Sequence, residues 1–282
     1  MILVFGKTGQ LARELALRAP ADTRFLSRDM VDLADPSACE AAILEAKPSA
    51  VINAAAYTAV DRAEDEEDLA TGVNGAAPGA MAEACAQLQI PFVHVSTDYV
   101  FDGMGEAPFS PAAPTQPLGA YGRSKEAGER AIQASGAVYA ILRTSWVFSA
   151  HGSNFMKTML RLAETRDHLN VVADQIGGPT PASAIAQACL VIVKQLTEQP
   201  RKSGLYHFSG APDVSWAEFA REIFRQAGKS IEVTGIPTSD YPTPAKRPAN
   251  SRLDCTSLSS FGLARPDWRL GVSNILAELE KA

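Results

Sequence analysis

Tyr121 and Lys125 stand four residues apart in the segment YGRSK. On a helix this spacing places both side chains on one face, so an ammonium would lie beside a phenol. A nearby positive charge favours phenolate, and we predict that Lys125 lowers the pKa of Tyr121 toward neutrality. Such a tyrosine could pass a proton to an oxygen while hydride reaches the adjacent carbon. The alternative is an ordinary surface pair, because Tyr-x-x-x-Lys is a common chance spacing.

A second group of polar side chains lies twenty-four residues before this tyrosine, in the run Ser96-Thr97-Asp98-Tyr99. The apolar residues before it predict a strand, which would place Thr97 at the carboxyl edge of a sheet. A hydroxyl at that position could hydrogen-bond a substrate carbonyl beside Tyr121. We therefore predict that Thr97, Tyr121 and Lys125 are catalytic.

A glycine-containing turn joins the first predicted strand to the first predicted helix. Its first glycine permits a tight turn, its second lets backbone approach a phosphate, and Ala12 allows close packing of helix on strand. The unpaired N–H groups of a helix start would then face a pyrophosphate. The residues expected to contact a dinucleotide here are Gly6, Lys7, Thr8, Gly9, Gln10 and Leu11.

The end of the second strand bears on which dinucleotide is bound. NAD sites usually carry an acidic residue there, whereas Ser27 leaves room for a 2′-phosphate and Arg28 could pair with it. This favours NADPH; NADH stays open because Asp29 follows, and an exposed loop pair is the bland alternative. Asp32 and Leu33 are expected to meet the adenine.

Small side chains follow the third strand, where ligands bind in open α/β sheets. Ala54, Ala55 and Ala56 would let a cofactor lie against backbone, unless they only pack against a helix. Tyr121 and Lys125 complete the cofactor contacts, because the lysine could also hold the nicotinamide ribose.

Short apolar runs alternate with helical periodicity through the first half of the chain, which predicts an α/β fold with a Rossmann-like, doubly wound parallel sheet. We predict a dinucleotide-binding domain at residues 1–150. Residues 151–282 are expected to form mainly a smaller C-terminal substrate-binding lobe, with part of the chain returning to complete the sheet. The expected strands are Ile2–Phe5, Thr23–Ser27, Ala50–Asn53, Phe92–Ser96 and Val138–Arg143. The expected helices are Leu11–Ala19, Ser37–Ala46, Asp68–Gln89, Ser124–Ser135, Asn154–Thr165, Ala182–Glu198, Trp216–Gly228 and Val272–Lys281.

Composition narrows the class of protein further. A net charge of −6 argues against a nucleic-acid binder, which needs a basic surface. The sequence holds no run of eighteen apolar residues and leaves no room for a signal peptide before Ile2, so we expect a cytoplasmic protein without a membrane span. Its four cysteines and four histidines are scattered, which predicts buried free thiols and no protein-built metal site.

Together these motifs resemble one family in the extended branch of the short-chain dehydrogenase/reductases, the dTDP-4-dehydrorhamnose reductases. The resemblance covers essentially the whole chain. It runs through GKTGQL (6–11), NAAAYTAVD (53–61), STDYVFDG (96–103), YGRSKEAGE (121–129), RTSWVF (143–148), DQIGGPT (174–180) and YPTPAKRPANSRL (241–253).

The resemblance implies NADPH-dependent reduction of the C4 ketone of dTDP-6-deoxy-L-lyxo-4-hexulose to dTDP-L-rhamnose. It implies that Tyr121 is the proton donor, that Lys125 tunes its pKa and anchors ribose, and that Thr97 binds the carbonyl. The residues it implies for binding the dTDP-linked 4-keto-6-deoxysugar are Thr97, Asp98, Tyr99, Trp146, Asn154 and Arg247. Core packing for Trp146 and a loop salt bridge for Arg247 are the alternatives.

Two other functions stay open: reduction of another nucleotide-linked 4-keto-deoxysugar, and a non-catalytic dinucleotide-binding regulatory subunit. Related dehydratases typically carry Thr-Asp-Glu at the strand end, whereas this chain has Tyr99 in the third position. Some family members are thought to hold Mg²⁺ between subunits. Glu14 and Glu278 could contribute, but Pro181–Gln187 offers no glutamate. This argues against a metal-bridged dimer, and leaves the ion and a homodimer open.

Overall fold

The structure is a computed structural model that describes residues 1–281. The strands are, in chain order, β1 (Ile2–Phe5), β2 (Arg24–Leu26), β3 (Ala50–Asn53), β4 (Phe92–Thr97), β5 (Tyr139–Thr144), β6 (Val147–Phe148), β7 (His168–Val172), β8 (Ile176–Gly177), β9 (Thr180–Pro181), β10 (Gly204–His207), β11 (Val214–Ser215), β12 (Glu232–Ile236) and β13 (Asn250–Ser251). The α-helices are α1 (Gln10–Ala16), α2 (Pro36–Ala46), α3 (Glu67–Thr71), α4 (Ala77–Leu88), α5 (Ala120–Ala134), α6 (Phe155–Leu162), α7 (Ala182–Glu198), α8 (Trp216–Gln226) and α9 (Trp268–Leu279).

A six-stranded sheet in the order β10-β5-β4-β3-β1-β2 forms the centre of the fold, and every neighbouring pair is parallel. Strand residues alternate between two apolar layers. Leu3 faces a layer built with α2, α4 and α5, whereas Val4 faces a layer built with α1 and α7. Burial on both faces explains why these strands read as short, nearly continuous apolar runs. The predicted doubly wound parallel sheet is confirmed.

The second half of the chain both completes this sheet and builds a separate apolar cluster. Helix α7 packs on α1, and β10 pairs with β5 at the sheet edge. Beyond them, β7 pairs with β12, and α8 buries Phe219 against Trp268 of α9. The boundary at residue 150 stays a prediction, and Ala282 lies outside the described residues. All four cysteines are buried and free, as expected.

The predicted helix Asp68–Gln89 is not continuous. Helices α3 and α4 are separated by one wider π-helical turn at Gly72–Ala76. That turn buries Asn74, whose side chain accepts from Tyr57 N–H at 2.9 Å and donates to Ser124 Oγ at 3.0 Å. An apolar periodicity cannot reveal such a turn, because it depends on hydrogen bonds to distant segments.

Helix α5 begins four residues earlier than the sequence predicts. The carboxylate of Glu64 accepts a hydrogen bond from Ala120 N–H at 3.0 Å, so a distant side chain satisfies the helix start. Tyr121 consequently stands in the first turn of α5, at the edge where β4 ends.

Two glycines of α5 bring its backbone against other backbone segments. A Cβ on Gly122 would overlap the Tyr99 carbonyl oxygen, and one on Gly128 would overlap the Asn74 carbonyl oxygen. Because glycine has no Cβ, α5 can pack this closely against these two backbone segments.

Gly128→Ala should destabilise the fold by about 1–3 kcal/mol or more, because the new methyl group must displace backbone. Gly72→Ala is the matched control: its Cβ meets open space, so the free energy of unfolding should change by about 1 kcal/mol or less, toward stability. Urea unfolding checks both, and equal stability of the two variants would contradict this packing.

Candidate active site

The predicted catalytic residues meet where β4 ends beside the first turn of α5. Thr97 closes β4, is nearly buried, and donates its hydroxyl to Asp98 Oδ1 at 3.0 Å. Thr97 Oγ1 also accepts a hydrogen bond from Tyr99 N–H at 3.2 Å. The rings of Tyr99 and Tyr121 pack edge to face with centroids 5.5 Å apart. Two phenols and a threonine hydroxyl thus line one end of the sheet.

Lys125 is buried on α5 and turns toward β4. Its Nζ lies 3.0 Å from His94 Nε2 and donates to the Val95 carbonyl oxygen at 2.8 Å. Burial lowers the pKa of Lys125 to about 8, while the charge of Glu129 acts in the opposite direction. An ammonium in this position is therefore easier to deprotonate than an exposed lysine.

The predicted lowering of the Tyr121 pKa is wrong for this state of the protein. Burial raises the pKa of Tyr121 to about 12, and the nearby Thr97 hydroxyl only partly opposes that rise. The physical reason is desolvation of the phenol, together with the orientation of Lys125 toward His94. The spacing of the two residues is helical as expected, but it does not by itself set the electrostatics.

Asp98 is a buried carboxyl group with an unsatisfied oxygen. Oδ1 accepts from Thr97, whereas Oδ2 is buried without a hydrogen-bond partner in the structure. Burial raises its pKa to about 6, although the nearby hydroxyl groups of Ser251 and Thr97 act in the opposite direction. A buried acceptor without a partner is costly, which is typical of a position that a ligand completes.

The glycine turn fits a dinucleotide phosphate. Gly6 has φ +111°, and a Cβ there would lie 3.4 Å from the backbone of Ala54 and of Ala55. Gly9 precedes α1 without a side-chain cap, and a Cβ on it would meet nothing within 4 Å. Backbone N–H groups are therefore open to an anion at this turn.

The other residues predicted for this turn divide by burial. Lys7 and Thr8 are exposed, while Leu11 is buried in the apolar layer beneath α1; Ala56, predicted as a cofactor contact after β3, is also exposed. Gln10 uses its Oε1 to accept from Asn154 Nδ2 at 2.9 Å. The backbone of this turn is accessible even where its side chains serve packing.

The predicted adenosine end of the site lies after β2. Ser27 is half-buried, and the side chain of Arg28 is 79% exposed, with its Nε 3.3 Å from Asp32 Oδ2. An exposed pair of this kind is weak, so Arg28 is free to exchange partners. Leu33 is buried in the apolar layer below. The Asp32 side chain accepts a hydrogen bond from Ala34 N–H. The side chains of both Asp32 and Leu33 therefore have contacts within the protein.

Two of the implied substrate residues contact other parts of the protein. Arg247 donates to Asp61 Oδ2 at 2.8 Å, and its charge acts on the nearby phenol of Tyr99. Asn154 caps α6 by accepting from Lys157 N–H at 3.0 Å, and it donates to Gln10 and to the Ser149 carbonyl. The contacts of Asn154 are structural, because both its amide hydrogens are used within the protein.

Trp146 stacks on Trp216, with ring centroids 3.6 Å apart and planes 10° apart. Its φ of +49° is unusual for a tryptophan, and its indole lies against the backbone of Gly177. A half-buried ring held in a strained backbone conformation is more typical of a binding surface than of simple core packing.

Several residues that shape this site were not predicted from the sequence. His94 and Asn53 lie behind Lys125, Trp216 supports Trp146, and Asp61 holds Arg247. His94 alternates with apolar residues in β4, a pattern that signals an inward polar side chain. Trp216 and Asp61 gave no signal of their own, since their partners are distant in sequence.

Comparison with known proteins shows the family to which the chain belongs. The profile of the family described as RmlD substrate binding domain matches residues 1–281. A dTDP-4-dehydrorhamnose reductase of Sinorhizobium fredii is 45% identical over 276 residues, covering 95% of this chain and 93% of that protein. The chain belongs to the dTDP-4-dehydrorhamnose reductase family. The resemblance inferred from the motifs is thus confirmed.

Other members of this reductase family match over nearly their whole length. The reductase of Salmonella typhimurium is 39% identical, with 99% of this chain and 97% of that protein covered. A crystal structure of the Bacillus anthracis reductase in complex with NADP has a TM-score of 0.91 at 33% identity, covering 98% of both chains. A Clostridium acetobutylicum reductase structure also has a TM-score of 0.91, at 34% identity and 99% coverage of both chains.

The two glutamates considered as metal ligands, Glu14 and Glu278, contact basic side chains of the same chain. Glu14 is buried and paired with Arg18 at 2.5 Å, and Glu278 Oε1 lies 3.6 Å from His151 Nε2. Across residues 1–281, no three acidic, histidine or cysteine side chains converge as a metal site would require. Nor does any helix in that range have the length and apolar character to cross a membrane.

The buried Asp98 should make stability depend on pH. A carboxyl whose pKa rises from its ordinary 3.8 to about 6 on folding favours the folded state at low pH, by about 3 kcal/mol. That contribution is nearly complete below about pH 3 and is lost as pH rises through 6. Wild type should therefore lose about 3 kcal/mol relative to Asp98→Asn between about pH 3 and about pH 7, measured by urea unfolding at each pH.

Asp254→Asn is the control with the opposite sign. Hydrogen bonds from Thr256 lower the pKa of Asp254, so wild type should gain stability relative to this variant as pH rises. A pH-independent difference between wild type and Asp98→Asn would contradict the burial of an ionisable carboxyl at this site.

Proposed function

We propose that this protein is an NADPH-dependent reductase that converts the C4 ketone of dTDP-6-deoxy-L-lyxo-4-hexulose to the alcohol of dTDP-L-rhamnose. Membership of the reductase family supports the reaction, and the juxtaposition of Thr97 and Tyr121 at the end of β4 carries the proposal. The NADP complex of the similar Bacillus anthracis enzyme supports the choice of cofactor.

The chain's own residues would hold the cofactor along the carboxyl edge of the sheet. Gly6 and Gly9 have no side chain that would block the pyrophosphate. The small residues Ala54 and Ala55 lie beside Gly6 and leave the backbone accessible to the cofactor. Ser27 leaves space for a 2′-phosphate, and Arg28 exchanges its exposed contact with Asp32 for that group. Bound NADPH supplies the hydride.

Tyr121 donates the proton that the reduced oxygen requires. Its high pKa keeps the phenol protonated across the neutral range, so it enters the reaction as an acid. Thr97 offers a hydroxyl beside it to fix the carbonyl oxygen. Lys125 anchors the ribose and, as an ammonium, stabilises the phenolate that remains after proton transfer.

Aromatic and charged side chains near this point suit a nucleotide-linked deoxysugar. Tyr99 and Trp146 present ring surface that packs on the C–H face of a deoxysugar, and Arg247 suits the diphosphate. Asp98 retains an unpaired buried oxygen that can accept from a sugar hydroxyl. Tyr99 replaces the acid that related dehydratases typically carry, so the site is equipped for reduction rather than elimination. Asn154 is left as a positioning contact between α6 and the glycine turn.

Tyr121→Phe should bind NADPH normally and lose about 10²–10⁴-fold in kcat, because the general acid is removed. Tyr139→Phe is the matched control, because Tyr139 begins β5 and lies at the amino ends of the strands, opposite the predicted site. Its kcat should stay within about twofold of wild type. Steady-state NADPH oxidation with the keto-sugar nucleotide measures both, and near-normal turnover by Tyr121→Phe would refute the assignment.

Ser27→Asp should move cofactor preference toward NADH, because a carboxylate repels a 2′-phosphate and accepts from ribose hydroxyls. Ser27→Asn matches it in size without the charge, and should change the ratio much less. The ratio of kcat/KM for NADPH and NADH decides the matter. Unchanged selectivity in Ser27→Asp would show that the phosphate lies elsewhere.

A further inference from the structure

A line of buried hydrogen bonds runs from the end of β3 to Lys125. Ala55 N–H donates to Asn53 Oδ1 at 3.1 Å, and Asn53 Nδ2 lies 3.1 Å from His94 Nδ1. His94 Nε2 then lies 3.0 Å from Lys125 Nζ. Asn53, His94 and Lys125 are each 1% exposed, so water does not compete for these groups.

The proton positions in this line follow from its first member. Because Asn53 Oδ1 is occupied by a backbone N–H, the amide turns its NH₂ group toward His94. Nδ1 of His94 must therefore accept, and a neutral imidazole then carries its single proton on Nε2. That N–H points at Lys125 Nζ, which can accept it only as an amine.

Burial shifts the protonation equilibria of His94 and Lys125 toward their neutral forms. Burial and the nearby Lys125 hold the pKa of His94 well below its usual value, and burial also lowers the pKa of Lys125. A second neutral imidazole, His207, lies beyond Arg143 and is not part of the line.

Few other charges face Lys125. Glu129 of the same helix is bound by Arg143 of β5, with Nη2 and Oε2 2.5 Å apart. Tyr121 is on the same helix, and Asp98 follows β4. Glu83, the one charged residue of α4, is exposed, and Glu67 of α3 pairs with Arg123 on the outer side of α5. The π-helical turn Gly72–Ala76 has no charged residue.

We propose that Asn53 and His94 are positioning residues that hold Lys125 toward β4 and, through an enforced Nε2–H tautomer, favour its amine form. This rests on the proposed function, in which Lys125 acts as an ammonium beside Tyr121. Forming that ammonium requires breaking the hydrogen bond from His94 Nε2–H. The tautomer of His94 therefore helps to set the pH above which reduction slows.

Nitrogen NMR of the free protein with ¹⁵N-labelled histidine tests the tautomer without any substrate. The His94 signals are assigned by their loss in His94→Phe. Wild type should show a protonated Nε2 and an unprotonated Nδ1. A protonated Nδ1 in wild type would overturn the inference, whether or not the protein is a reductase.

Asn53→Asp reverses the constraint with nearly the same shape. The new carboxylate still accepts from Ala55 N–H, but it also accepts from His94, which moves the proton to Nδ1. Nε2 is then free to accept from an ammonium. The alkaline limb of kcat/KM, expected near pH 8 in wild type, should move up by about one pH unit, a tenfold change in the lysine protonation equilibrium.

The same substitution in a His94→Phe background separates transmission through the imidazole from a direct charge effect. The shift should vanish there, because the coupling depends on the residue between. An equal shift in both backgrounds would contradict the role of His94. Absence of turnover by wild type would instead reject the proposed function, and would leave the NMR result to decide the tautomer.

Discussion

Backbone contact between α5 and two neighbouring segments is the constraint on which this site depends. Gly122 faces the Tyr99 carbonyl and Gly128 faces the Asn74 carbonyl, in each case with no room for a methyl group. The first contact brings Tyr121 to the end of β4, and the second brings Lys125 down onto that strand. The polar side chain of Asn74 fixes the π-helical turn that accepts the helix. The position of α5 therefore determines how the predicted catalytic side chains are arranged.

Desolvation then sets the chemistry of the groups so placed. It raises the pKa of Tyr121 and of Asp98 and lowers that of Lys125, in each case toward the neutral form. The buried charges that remain are paired: Glu129 is bound by Arg143 and accepts from Ser96 Oγ at 2.5 Å. A protonated phenol at Tyr121 beside a paired ion network suits proton donation to an oxygen that gains negative charge during reduction.

The strands of the central sheet could be predicted from the sequence, but the contacts of several side chains could not. β1 and β3 have the predicted bounds, because apolar runs buried on both faces leave little ambiguity. The break between α3 and α4, and the early start of α5, depend on Asn74 and Glu64 contacts that no local pattern encodes. Helical spacing correctly placed Lys125 on the face of Tyr121, yet could not show that His94 competes for its Nζ. The contacts of Asn154 and Arg247 could not be predicted either, because their partners Gln10 and Asp61 are distant in sequence.

In the proposed reaction, this site transfers hydride to a sugar ketone and a proton to its oxygen. The most direct measurement is incubation with dTDP-6-deoxy-L-lyxo-4-hexulose and NADPH deuterated at the transferred position, followed by NMR of the product. We expect dTDP-L-rhamnose with deuterium at C4 and stoichiometric oxidation of the cofactor. Cofactor binding without oxidation would contradict it and favour a regulatory subunit, and a different configuration at C4 would contradict the assigned product.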